Sequence, residues 1–164
     1  MTTAHASAMQ ADLDLVFERV VALPPAAIWR AWTEPELIKQ WFTPAPWRTT
    51  ECEIDLRPGG IFRTVMRGPD GQEFDNAGCY LEIIPDRKLV WTGALGPGFR
   101  PQAVPPGGFL MTAEITLVAV EAGTRYRALV MHADAEACAR HAAMQFHNGW
   151  GKALDQLIAL CRGV

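Results

Sequence analysis

Four polar side chains stand on faces of the chain that otherwise read as apolar or mixed. Arg19 follows Leu15 and Phe17 and precedes Val21 at every second position; His132 closes the series Tyr126, Ala128, Val130; His147 belongs to the stripe Ala143, His147, Trp150, Leu154, Leu157, Cys161; and Glu82 lies in a strand whose two faces are both mixed. A neutral imidazole donates one hydrogen bond and accepts one, enough to orient a polar group on an otherwise apolar ligand. An imidazole with its pKa near neutrality is also an acid or base for catalysis. The same four residues fit a structural duty, bonded to backbone or paired with an opposite charge. The sequence leaves both readings open.

Other chemistries find little support. His141 and His147 are six apart, on different faces of a helix, and His132 belongs to another element, so no local ligand pair exists and no metal is expected. The only serine is Ser7, there is no Gly-x-Ser-x-Gly, and no cysteine has a histidine partner in sequence. Pro58-Gly59-Gly60 and Pro106-Gly107-Gly108 precede strands rather than helices, which argues against a phosphate loop and a nucleotide cofactor. No cofactor is expected. Cys52, Cys79, Cys138 and Cys161 are too dispersed for a zinc site or a disulfide framework and read as reduced, mostly buried residues.

These side chains need a core to hold them. With 164 residues, 49% of them hydrophobic and 20% charged, the chain has the composition of a single soluble domain. Its net charge of -3 and dispersed Lys and Arg make nucleic acid a poor partner. No apolar run approaches the roughly 18 residues of a membrane span, and no signal pattern opens the chain, so the expected location is cytoplasmic without membrane insertion. Residues 1–12 read as a disordered tail and 13–164 as the domain.

The elements follow from periodicity and punctuation. A strand from Leu13 to Val21 stops at Pro24-Pro25, which starts a short helix through Trp32; Thr33-Glu34-Pro35-Glu36 caps a second through Phe42. Cys52, Ile54 and Leu56 alternate with Glu51, Glu53 and Asp55 up to the turn at Pro58-Gly59-Gly60. Further strands carry Phe62, Thr64 and Met66, then 77–84, 89–92, Met111 to Leu117 and Tyr126 to His132. Residues 93–108, rich in Gly and Pro, form one long irregular segment, readable as a lid or as a tolerated surface insertion. Residues 134–162 read as one long helix. Its Gly149 and Gly151 each cost about 1 kcal/mol relative to Ala, which suggests close packing beside Trp150, the other reading being a kink there.

Particular stretches, in order, carry a resemblance: 22–29 (Ala-Leu-Pro-Pro-Ala-Ala-Ile-Trp) with 32–36 (Trp-Thr-Glu-Pro-Glu), Trp41-Phe42, 55–63 (Asp-Leu-Arg-Pro-Gly-Gly-Ile-Phe-Arg), 78–83 (Gly-Cys-Tyr-Leu-Glu-Ile) and His147-Asn148-Gly149-Trp150. The chain resembles the SRPBCC superfamily, also called START-like or birch-pollen-allergen-like. Within it, the chain is most similar to the branch named for the activator of the heat-shock protein 90 ATPase. The resemblance implies an α+β helix-grip fold: a curved antiparallel sheet of about seven strands around a long C-terminal helix, with two short helices after the first strand. It also implies a cavity between sheet and helix.

The residues expected to line that cavity are Arg19, Phe62, Met66, Tyr80, Met111, His132, Met144, His147 and Trp150, the aromatic and Met side chains supplying contact area. The expected ligand is a small hydrophobic or amphipathic molecule, bound without catalysis by a monomer or homodimer. A cyclase or isomerase using His132 or His147 is the second reading. A co-chaperone with a chaperone partner is the third.

Overall fold

The computed structural model describes residues 5–163. Seven antiparallel strands form the main sheet: β1 (Asp14–Val21), β2 (Arg48–Ile54), β3 (Ile61–Arg67), β4 (Glu73–Ile84), β5 (Lys88–Thr92), β8 (Met111–Val120) and β9 (Gly123–His132), in the order β1-β9-β8-β5-β4-β3-β2. Between β5 and β8 the chain makes a miniature hairpin of β6 (Leu95–Gly96) and β7 (Arg100–Pro101), joined by one 3-10 turn. Helices α1 (Pro25–Thr33) and α2 (Pro35–Trp41) follow β1, and α3 (Ala135–Ala143) and α4 (Phe146–Cys161) end the domain. This is the helix-grip α+β arrangement that the resemblance implies.

Local chemistry accounts for the element boundaries. Proline opens both α1 and α2 at a first-turn position, where its missing N–H costs nothing and its fixed φ favours the helix. Thr33 is not the cap of α2: it ends α1, its hydroxyl returning to the Trp29 carbonyl at 2.8 Å, and Glu34 stands at the N-cap. Asp134 caps α3 by accepting from the Ala137 amide at 2.8 Å.

One surface of the sheet carries the core. Tyr126, Ala128 and Val130 of β9, Ala113, Ile115 and Leu117 of β8, Leu89 and Trp91 of β5, Tyr80 of β4 and Phe62 of β3 share it, covered by Ile28 and Trp32 of α1, Ile38 and Trp41 of α2, and Leu154 and Leu157 of α4. Burying each large apolar side chain contributes about 1.5–3 kcal/mol.

Two expectations need correction. The C-terminal helical region is not continuous. Gln145 takes a left-handed conformation (φ 62°) and divides α3 from α4, so the break lies four residues before Gly149. Crowding of both glycines is also not observed. A β-carbon at Gly151 would rest 3.5 Å from the Phe17 ring, an ordinary contact, and one at Gly149 would meet nothing within 4 Å.

The segment 93–108 is ordered in its first half. The Gln102 amide donates to the carbonyls of Ala77 (2.8 Å) and Gly93 (2.9 Å), and the Gly98 amide donates to Gly59 (2.8 Å). Only the stretch from 103 onward runs free of the sheet in this way. At the other end of the chain, part of the expected tail, residues 1–4, lies outside the described residues. Ser7 donates from its amide and hydroxyl to the Glu114 carboxylate, at 2.9 and 2.7 Å, on the face of the sheet opposite the core.

Candidate functional site

The feature with the shape of a binding site lies at the end of the sheet where β8 begins and β9 ends. A half-open pocket of about 430 Å³ is bounded by Val104 and the Gly108–Thr112 stretch on one side, and by Met131 to Asp134 and the α3 residues Glu136, Ala137 and Arg140 on the other. Its apolar wall comes from Phe109, Leu110, Met111 and Ala137, and polar groups gather around Asp134, Glu136 and Arg140. Arg140 fixes one rim: Nη1 donates to the carbonyls of Gly107 (3.2 Å) and Gly108 (3.4 Å) while Nη2 meets Glu136 at 2.9 Å.

Beneath this pocket two histidines are joined. His132 Nδ1 is 2.8 Å from the Leu13 carbonyl, and its Nε2 is 2.9 Å from Nδ1 of His141. A carbonyl only accepts, so His132 carries its proton on Nδ1, and in the neutral pair His141 donates through Nδ1 to His132 Nε2. Phe109 lies against both rings, with centroids 5.7 and 4.9 Å away, and Phe146 meets His141 edge-on at 5.2 Å. Burial, and then the neighbouring His132, lower the His141 pKa to about 4, so that its ring is neutral at pH 7. Both His132 nitrogens are therefore engaged within the protein. A group in the pocket meets the face and edge of this imidazole rather than a free lone pair.

Of the nine residues expected at a cavity, Met111 and His132 line this pocket. Phe62 and Tyr80 belong to an aromatic core instead: they stack at 5.4 Å, Phe62 meets Trp91 edge-on at 5.3 Å, and Trp91 lies 5.0 Å from Trp32. The Tyr80 hydroxyl is buried without a hydrogen-bond partner among the described residues, and burial pushes its pKa up, leaving a neutral donor. Met66 is partly buried opposite Thr49 on β3. Trp150 is half-buried, its ring 5.3 Å from Phe146.

The other three have different surroundings. Arg19 does face α4, as its position among apolar residues suggests, and there donates to the Gly151 carbonyl (3.3 Å) and Asp155 (2.9 Å). His147 is exposed and its Nε2 lies 2.9 Å from the Val16 carbonyl. Met144, 68% exposed, points to solvent at the helix break. Glu82 is also exposed and pairs with Lys88 at 2.7 Å.

Sequence reasoning missed His141. Once α3 is treated as a separate helix starting at the Asp134 cap, Cys138 and His141 are its two buried positions, three apart on one face. The four thiols are free, and burial raises all their pKa values, Cys52 to about 11, which keeps them protonated and poorly nucleophilic. Among the described residues no group of three or more His, Cys, Asp or Glu could hold a metal, and no helix is long and apolar enough to cross a membrane.

Comparison with known proteins extends the picture. A family model described as Activator of Hsp90 ATPase homolog 1-like protein matches residues 22–162. A crystal structure of a protein from Nitrosomonas europaea is 46% identical, with a TM-score of 0.89, and covers 94% of this chain and 97% of that one. A protein from Rhodobacter sphaeroides is 25% identical (TM-score 0.81, covering 93% and 95%), and one from Mycobacterium smegmatis 26% identical (TM-score 0.75, covering 92% and 91%). The curated proteins yield no significant match.

Proposed function

The chain belongs to the family of Activator of Hsp90 ATPase homolog 1-like proteins, and from that premise we propose that it binds a small, largely apolar molecule without transforming it. The observation that carries this reading is the pocket between residues 104–112 and α3. Its volume of about 430 Å³ lies within the range of small-molecule sites, and its apolar wall ends in a few polar groups at the rim. An aliphatic or aromatic body would rest on Phe109, Leu110, Met111 and Ala137. A hydroxyl or carbonyl head would reach Thr112 or Arg140.

The bonding of His132 supports the reading without catalysis. A general base needs a lone pair within hydrogen-bond reach of the substrate proton, and both nitrogens of this ring are committed to Leu13 and His141.

The test is a titration with 1-decanol, a neutral amphiphile, followed by amide shifts of the 15N-labelled protein. Saturable shifts at Phe109 to Met111 and at Ala137, lost in Ala137→Trp, support the reading. A variant that keeps its melting midpoint and its decanol affinity removes the pocket from consideration. Native mass spectrometry of freshly purified protein adds an independent readout, a co-purifying small molecule.

A further inference from the structure

A second cleft, of about 500 Å³, opens at the opposite edge of the sheet, between α2, the 42–47 loop, β2 and α4. Its lining is polar and rich in donors: Lys39 and Gln40 from α2, Thr43 and Trp47 from the loop, Arg48, Thr49 and Thr50 from β2, and Gln156 from α4. We infer that this cleft binds a small anion, a carboxylate or phosphate group, held by Arg48 and Lys39 beside the Trp47 indole.

The charges give the first argument. The Arg48 side chain makes no ion pair and no hydrogen bond among the described residues, and the residue directly opposite it on β3 is Arg67, whose guanidinium has no such partner among them either. Like charges facing each other across a ladder destabilise it, and an anion held beside Arg48 would relieve that repulsion. Glu73 opposes Arg67 on β4 but is not within ion-pair distance. Among the described residues the only carboxylate bonded to a lining cation is Glu36, 2.9 Å from Lys39 and itself largely exposed. Lys152 adds a further positive charge nearby, its ammonium 2.7 Å from the Ala45 carbonyl.

The second argument is that the walls are fixed. The Gln156 amide donates to the carbonyls of Trp41 and Thr43, both at 2.9 Å, and accepts from the Ala45 amide at 3.0 Å, so the loop is bolted to α4. Trp47 is held between the Phe74 ring, stacked at 5.6 Å, and Gly68, where an added β-carbon would collide with the indole at 2.8 Å. The Thr43 and Thr49 hydroxyls bond each other, and in such a pair only one proton is used between them. Protection of the edge strand β2 against pairing would account for one charge on Arg48. It does not account for an ordered cleft in which guanidinium, ammonium, hydroxyl and indole donors meet so few acceptors.

A guanidinium grips carboxylate or phosphate oxygens through two parallel N–H bonds, and Lys39 supplies a point charge beside it. The experiment is an amide and indole shift titration of the 15N-labelled protein with phenyl phosphate, with benzoate, and with benzyl alcohol as the neutral control. The expected result is a saturable shift of the Trp47 indole N–H and the amides of Arg48 to Thr50 with one or both anions, and the two arms show which oxyanion is preferred. Arg48→Gln weakens that binding roughly tenfold or more, as loss of a charged hydrogen bond requires. Its melting midpoint does not fall, because the Arg48 side chain bonds no other described residue and its removal relieves the repulsion from Arg67, and Lys39→Gln provides a second, milder loss. The inference is overturned if neither anion gives a saturable shift, if benzyl alcohol moves the same signals equally, or if both variants bind as the parent does.

Discussion

His132 and His141 are bonded ring to ring, Nε2 to Nδ1 at 2.9 Å, across the junction of β9 and α3. Because the folded His141 pKa is lowered to about 4 from an ordinary value of 6.5, the unfolded chain binds a proton there that the folded chain does not, at every pH between those values. The His141 contribution to stability is therefore fully present above about pH 6.5 and is lost as the pH drops towards 4. After allowance for partial solvent screening, the loss amounts to about 1–2 kcal/mol. Urea melts across this interval should show the slope, and His141→Phe should flatten it. A slope that is the same in the parent and in His141→Phe would contradict the buried, neutral state of His141.

Gln156 uses its whole amide on backbone: two donated bonds and one accepted. Gln156→Ala should cost about 2–3 kcal/mol, three bonds at roughly 1 kcal/mol each. A loss below about 0.5 kcal/mol, the range of neutral surface changes, would mean that the loop holds itself.

His147→Phe should cost about 0.5–1.5 kcal/mol through loss of its bond to the Val16 carbonyl. Decanol binding should be unaffected, since this ring does not line the pocket. Weakened binding in a variant of normal stability would return His147 to the ligand site.

Along α4 the two leading core candidates separate. Leu154 is 1% exposed and Trp150 only half-buried. Leu154→Ala should thus cost about 3–5 kcal/mol and Trp150→Ala about 2 kcal/mol, compared by denaturant midpoints at equal slope. The reverse order would place the indole deeper than its ring contacts suggest.

The segment between β5 and β8 should divide in hydrogen exchange. Amides at Gly98 and Gln102, which donate to Gly59 and Ala94, should be protected, and those at 103–107 should exchange within the labelling dead time. Uniformly fast exchange across 94–107 would show that the miniature hairpin is not formed.

Much of the fold was legible because sheet and helix periods differ and because proline and glycine mark the ends. Alternation groups Phe62, Ile115 and Tyr126 each on one face of its own strand, and these faces carry the core; it also puts Arg19 on the face of Leu15 and Phe17, which meets α4. The break at Gln145 was not legible. No Gly or Pro marks it, and a left-handed glutamine arises from tertiary packing rather than local preference. That one residue moved the site: reading 134–162 as a single helix put His147 on the buried stripe and His141 off it, and the structure exchanges their roles. The second cleft is not legible in the sequence for a related reason. Its cations come from α2 and β2, nine positions apart, and only the folding of the loop between them makes them neighbours.

The sheet order has a consequence for how the chain is made. Among the described residues the sole strand partner of β1 is β9, so Val21 waits for Thr124, about a hundred residues downstream. At a synthesis rate of roughly 5–20 residues per second, β1 leaves the ribosome some 5–20 s before anything can pair with it. Through that interval it is an open edge carrying Leu15, Val16 and Phe17, guarded by Asp14, Glu18 and Arg19. The charges that tie β1 to its neighbours in the finished domain thus serve earlier, on the nascent chain, as a barrier to pairing with the wrong strand.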